Sequence, residues 1–410
     1  MSRDQWIETN LRARERVPRL GWVMLALVIL GAVGFYMAWG QGIRAWQAYW
    51  VNFLFFAGLA QAGVIVAALV QSTGGRWGGA LVRLGLLQVA FVPVTLVLYT
   101  GVVLGAADLL PWVAEPIEAK AWWLNLDFFL IRLGVALAII TICSLAFAYY
   151  AIRPDAGAIA AGGRSPFPKW LSRGWRGEEA ERERSKQILG WLGPLLFLVY
   201  ALVYSLVGFD MVMSLEPHWS SNLFGGYFFL TALYMGTAAV IVLNVLLRRR
   251  LGLEEQINSA RFHDAGKVLF AFCLLSADFF WSQFLVIWYG DLPEEISFIL
   301  HRIQHDPWVV LSYAVLFGGF VLPFIILINR RVKQIPLTIG IIGLLVLIGG
   351  FAERILLVIP SLNPVPGTAF PIGLEEILIS LGFFGLYGAS LLWMMRRAPL
   401  VPAETESPAH

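Results

Sequence analysis

The sequence predicts an all-α integral membrane protein that crosses the bilayer ten times. Three observations carry this. Of its 410 residues, 59% are hydrophobic and only 14% charged, against roughly 45–50% and 25% in soluble globular proteins, which excludes a cytoplasmic globular enzyme. Ten apolar stretches each meet the roughly 20 residues needed to span hydrocarbon. Twenty-five of the 30 Lys and Arg residues gather before, between and after these stretches in alternate positions. Runs this continuous suit helices, which satisfy their own backbone polar groups, and not the alternating strands of an outer-membrane barrel.

The stretches are 20–40, 49–70, 80–104, 128–152, 187–209, 223–247, 267–289, 307–329, 335–359 and 373–395. The first is too long for the apolar region of a cleavable signal and lacks a small-residue cleavage site after it, so it reads as a retained anchor. Pro93, Pro194 and Pro323 interrupt the third, fifth and eighth. The domain reading is an N-terminal segment 1–19, a ten-helix membrane domain 20–395 and a disordered tail 396–410 rich in Pro, Glu and Ser. Residues 153–186 form the longest connection; their Gly, Pro, Ser and charge run predict a solvated loop, with an amphipathic turn near Trp170 to Trp175.

Orientation follows from the Lys and Arg distribution. The N-terminal segment, the even-numbered loops and the C-terminal segment hold the 25; the opposite face has Arg44, Lys120 and Arg302. This predicts a multi-pass membrane protein with both termini cytoplasmic. The net charge of +3 is too small to imply nucleic-acid binding, and the surroundings of the chain are membrane lipid.

A weak internal repeat is also legible. Tyr49–Val70 and Asn222–Asn244 both run from aromatics through Phe-Phe into small and β-branched residues, while Asp210 and Glu353 each precede a proline, Pro217 and Pro360, by seven residues. Four spans separate each pair, an even number, so the repeats share one orientation. Two four-helix bundles are expected, spans 2–5 and 6–9, flanked by spans 1 and 10.

Ionisable residues at membrane depth cost at least about 2.5–3.5 kcal/mol on insertion scales, which makes each a functional candidate. Asp278 lies eleven residues beyond Lys267, about 16 Å along a helix and so near the midplane. It is expected to be either a proton relay or a residue satisfied by a neighbouring helix. Glu353 and Arg354 are adjacent, so they point about 100° apart and address different partners. Arg132 and Asp210 are the candidate partners, and the whole set is either a proton path or a structural ion-pair cluster. All but Asp278 lie in the outer half, where His218, His301, Arg302 and His305 occupy the loops.

Cys143 and Cys273 both sit in apolar runs, and no histidine lies inside a span. Neither an iron–sulfur cluster nor a membrane haem can be ligated by such a set, so no cofactor bound by this chain is expected, and redox centres belong to other subunits.

Three segments together carry a resemblance: Ser-Leu-Glu-Pro-His-Trp leading into Asn-Leu-Phe-Gly-Gly-Tyr-Phe-Phe, then His-Asp-Ala-Gly-Lys-Val-Leu-Phe-Ala-Phe, then Trp-Ser-Gln-Phe-Leu-Val-Ile-Trp-Tyr-Gly-Asp-Leu-Pro-Glu-Glu. They resemble the NrfD-like ActF family of membrane subunits from alternative complex III, a bacterial quinol:electron-acceptor oxidoreductase. The likeness covers residues 190–395 best. It implies as partners a second, quinol-binding NrfD-like subunit, a periplasmic iron–sulfur subunit and c-type cytochrome subunits. It places haem c and iron–sulfur clusters in those partners, with quinone or quinol as the diffusible substrate, and implies a proton path through such a subunit. The chain would then be an accessory part of an oxidoreductase, not catalytic alone. The competing reading is a ten-span secondary transporter with Asp278 as its ion site. Transporters place such sites on broken helices between inverted repeats, whereas this repeat is parallel and the polar residues lie outward.

Overall fold

The computed structural model describes residues 1–75, 78–163, 167–362 and 372–403. It is all-helical over these residues, and ten helices are long and apolar enough to span a bilayer. They are α1 (Gly21–Trp39), α2 (Arg44–Ser72), α3 (Gly79–Leu109), α4 (Leu126–Ala161), α5 (Glu178–Met211), α6 (Phe224–Leu251), α7 (Ser259–Gly290), α8 (Trp308–Ile328), α9 (Pro336–Leu362) and α10 (Leu374–Met395). Each matches one expected stretch.

Local chemistry sets several ends. Asn125 and Asn258 cap α4 and α7 by accepting from the Phe128 and Arg261 amides at 3.2 Å. Gly252 ends α6 at φ 70°, a left-handed conformation suited to glycine. Inside α3, the backbone tightens to a 3₁₀ segment at Leu87–Phe91 just before Pro93. Inside α8 it widens to a π segment at Ala314–Val321 before Pro323. The Gly319 carbonyl, the α-helical partner that Pro323 cannot serve, accepts from the Tyr234 hydroxyl at 3.0 Å.

The two expected bundles form. Helices α2, α3, α4 and α5 close one ring of contacts and α6, α7, α8 and α9 the other. The bundles meet through α2 and α6, the most deeply buried helices. A Cβ on Gly236 would collide with Ala62, so these helices approach backbone to backbone. Spans 1 and 10 pair with each other and sit on the first bundle through α2 and the 3₁₀ segment. A Cβ on Gly382 would stand 2.6 Å from the Cα of Gly31, which fixes glycine at that crossing.

The terminal side of the molecule corrects two expectations. Residues 396–403 are packed, not disordered: Ala398, Leu400 and Val401 are buried. The N-terminal helix Arg3–Glu15 clasps them, with the Val401 carbonyl accepting from Trp6 Nε1 and Asn10 Nδ2 at 3.0 Å and its amide donating to Asn10 Oδ1 at 2.9 Å. The Ala-Pro-Leu-Val-Pro stretch is apolar enough to bury; the Glu- and Ser-containing residues that drove the expectation, 404–410, lie outside the described residues. The 153–186 connection is likewise less solvated than its charge run suggests. Helix α4 continues through Pro154 to Ala161, α5 begins at Glu178, and a short helix, Lys169–Ser172, marks the expected turn. Arg153 and Glu181 form a buried bidentate pair at 2.7 and 3.0 Å, and Asp155 binds Arg83 at 2.5 Å. These partners are far apart in sequence, so composition could not show that they neutralise one another.

Candidate functional site

Glu353 and Arg354 lie between the bundles, 3% and 0% exposed. Their helix, α9, packs on α6, which supplies Tyr227, Phe228 and Thr231 on one turn. The Tyr227 hydroxyl donates to Glu353 Oε1. Arg354 Nη2 donates to Thr231 Oγ1 at 3.0 Å, and its guanidinium lies 4.3 Å from the Phe228 ring centroid. The two neighbours thus have separate partners, as their angular offset requires, yet Arg354 Nη1 still approaches Glu353 Oε2 at 3.4 Å. Glu353 Oε2, Arg354 Nε and Arg354 Nη1 have no protein hydrogen-bond partner. Unpaired polar atoms on a buried ion pair are costly, and they mark a place suited to water or to a migrating proton.

Towards the end of the molecule opposite the chain termini, a second cluster adjoins this centre. Arg302, on the helix Pro293–Ile303, lies close enough to Tyr227 to interact with it electrostatically. Its Nε donates to the Leu356 carbonyl at 2.8 Å, the acceptor that Pro360 leaves free in α9. Its Nη2 donates to Ser361 Oγ at 2.7 Å and its Nη1 to Glu216 Oε1 at 3.0 Å. Ser361 also donates to Glu216 Oε1 at 2.7 Å, and His301 Nδ1 stands 3.7 Å from that oxygen. Burial pulls the Arg302 guanidinium below its usual range, with the Glu216 carboxylate opposing the effect. The guanidinium is stacked 3.6 Å from the Phe298 centroid, and Phe298 lies flat on Trp219 at 3.8 Å.

Arg132 and Asp210 form a separate site in the first bundle. Two bonds of 2.7 Å join them, and a third of the same length ties Arg132 Nη1 to the Trp123 carbonyl. They do not partner Glu353 and Arg354, because each is consumed by the other. Asp278 departs further from expectation. It is exposed on the outside of α7, away from the Glu353 centre, because Ser276, Cys273 and Phe272 take the inward face of that helix. The transporter reading loses its interior ion site with it. Of the loop histidines, His301 joins the Glu216 cluster; His218 is exposed and His305 half-buried.

Sequence reasoning missed Tyr227, Thr231, Glu216 and Ser361. Glu216 lies six residues beyond Asp210 in the segment that carried the resemblance, and a carboxylate directly before Pro217 in an apolar loop was the available signal. The hydroxyl residues gave none, since Tyr and Thr are ordinary in spans.

A cleft of about 340 Å³ opens between α2, α9 and α10, walled by Val51, Phe56, Phe351, Ile355 and Phe384. Its polar end holds Asn52, Ser380 and Glu376. Asn52 Nδ2 donates to Ser380 Oγ at 3.0 Å while its Oδ1 is unpartnered, and Arg44 neutralises Glu376 at 2.5 Å.

A protein-family model described as "Polysulphide reductase, NrfD" matches residues 38–366. The chain belongs to the NrfD family. The matched range begins just before α2 and ends just after α9, so the NrfD unit is the pair of four-helix bundles, and the α1–α10 pair lies beyond it. As an NrfD protein the chain is a multi-pass membrane subunit of redox complexes. A search of curated proteins finds no match.

Proposed function

We propose that this NrfD protein is the ActF-type membrane subunit of a bacterial alternative complex III, and that it carries protons between the bundle interface and the periplasm. The observation that carries the proton role is the Glu353 centre: a buried carboxylate bonded to Tyr227, with unpaired polar atoms beside it, leading through Arg302 to Glu216 at the outer edge. Glu353, Tyr227, Ser361 and Glu216 are the groups able to take and pass a proton. Arg302 and Arg354 stay charged and hold the carboxylates in place. Arg132 and Asp210 act as scaffold in the other bundle.

In this reading, quinol is oxidised in a second NrfD-like subunit, and electrons leave through periplasmic iron–sulfur and c-type cytochrome subunits. This chain binds no metal cofactor and is not catalytic alone. A quinone ring entering it would find the cleft at Asn52 and Ser380, where an apolar wall meets an unpaired acceptor. Purification from its own membranes through a tag on this chain is expected to bring down c-type haem and an iron–sulfur protein. The isolated subunit is expected to show no Soret band. Recovery without redox partners, or with haem held by this chain, would overturn the assignment.

The basic loops on the terminal side support an orientation with that side in the cytoplasm of an inner membrane and the Glu216–Arg302 cluster facing the periplasm. Alkaline phosphatase fused after Pro217 is therefore expected to be active and, after Arg250, inactive. The reverse pattern would invert the direction of the proton path.

A further inference from the structure

Helix α7 presents a stripe to the outside that its own bundle does not use. Ala271, Leu275, Asp278, Ser282, Leu285 and Tyr289 recur at alternating intervals of four and three. All are exposed except Ser282, which is half-buried. This is the spacing of a helix seam that meets another helix along its length. The stripe covers 19 residues, about 27 Å, close to the thickness of the hydrocarbon core. Asp278 stands near its middle, about 16 Å beyond Lys267 and about 18 Å before Gly290.

The other ionisable groups deep in the spans are paired: Asp210, Glu353 and Arg354 are buried and Arg132 half-buried. Asp278 makes no hydrogen bond or ion pair among the described residues, and around it lie exposed Leu274, Leu275 and Trp281. Acyl chains offer this carboxylate no donor. A second copy meeting it across a two-fold axis would set Asp278 against Asp278, two like charges in low dielectric. A soluble partner cannot reach this depth. Charge complementarity leaves a transmembrane helix carrying a cation at the facing position, with Ser282 one turn away to accept a second bond.

We infer that the α7 stripe is the docking seam for a transmembrane helix of another subunit that presents Lys or Arg to Asp278. Apolar contacts along the seam give area, and the ion pair fixes register, as a single polar residue does in a coiled-coil core. The inference rests on membrane insertion alone, not on the proton path, so either can fail while the other stands.

The test uses the full chain in its own membranes, with a photo-cross-linking phenylalanine analogue at Leu275 or Leu285 and, as controls, at Ile139 or Ile142 on the exposed face of α4. The seam positions are expected to capture one transmembrane segment of a different subunit, with a Lys or Arg within one turn of the cross-linked residue. Asp278→Leu is expected to cut the yield by at least about tenfold, because truncating one member of a desolvated charge pair strands the other. Asp278→Lys combined with the partner's cation changed to Asp is expected to restore it. Gel filtration of each variant in detergent checks that the chain itself is intact. Adducts confined to lipid, to a second copy of this chain or to a helix without a cation would overturn the inference. So would a yield at Leu275 that Asp278→Leu leaves unchanged, or that does not exceed the α4 controls.

Discussion

Replacing Arg132 with Leu is expected to lower the stability of the detergent-solubilised chain by about 3–5 kcal/mol, the range for breaking a buried ion pair from one side. Asp210 is fully buried, and two of its bonds come from Arg132. The substitution would leave that carboxylate uncompensated and also free the Trp123 carbonyl, and it would remove a guanidinium 4.0 Å from the Trp123 ring centroid. The double substitution Arg132→Leu/Asp210→Leu is expected to recover most of the loss, because no charge is then stranded. Thermal unfolding of the three proteins, followed by tryptophan fluorescence, measures this. A loss of less than about 1 kcal/mol for Arg132→Leu, the worth of an exposed pair, would mean that water reaches Asp210.

The same pair illustrates what the sequence makes legible. The ten spans were readable because hydrophobic length reports directly on the bilayer, and the division into two bundles because the aromatic run of span 2 and the acid of span 5 recur in spans 6 and 9. Asp210 and Glu353 were recognisable as matching acids near the C-terminal ends of α5 and α9. What could not be read was which side of a helix each charge takes. Asp278 lies on a helix with large apolar residues on all sides, so depth was readable from the distance to Lys267 while direction was not. Arg132 was grouped with Glu353 by depth alone, although the expected bundles separate them; only packing shows that Arg132 is consumed by Asp210 and that Tyr227 is the partner of Glu353. The 153–186 connection failed for a related reason. Its charges look solvated one by one, but Arg153 finds Glu181 and Asp155 finds Arg83 once α4 and α5 extend beyond the membrane.

Arg302 joins the two levels of the account. It caps the carbonyl that Pro360 frees, which is structural, and it bonds Glu216 and interacts electrostatically with Tyr227, which puts it on the proposed path. A purely structural cluster and a proton path therefore share this residue, so substituting it would not separate the two readings. Glu353 does separate them. Glu353→Gln preserves size and can still accept from Tyr227, while removing the carboxyl proposed to take up and release the proton.

The most direct measurement is proton release per electron from the intact complex in liposomes, compared between the native protein and Glu353→Gln at matched quinol turnover. The account predicts that the variant complex assembles, still transfers electrons, and releases only the protons that quinol itself gives up, with Tyr227→Phe producing the same shift in smaller degree. Unchanged proton release and unchanged dependence on membrane voltage in an assembled Glu353→Gln complex would contradict it, and would make the Glu353–Arg354 centre an ion pair that holds α9 against α6.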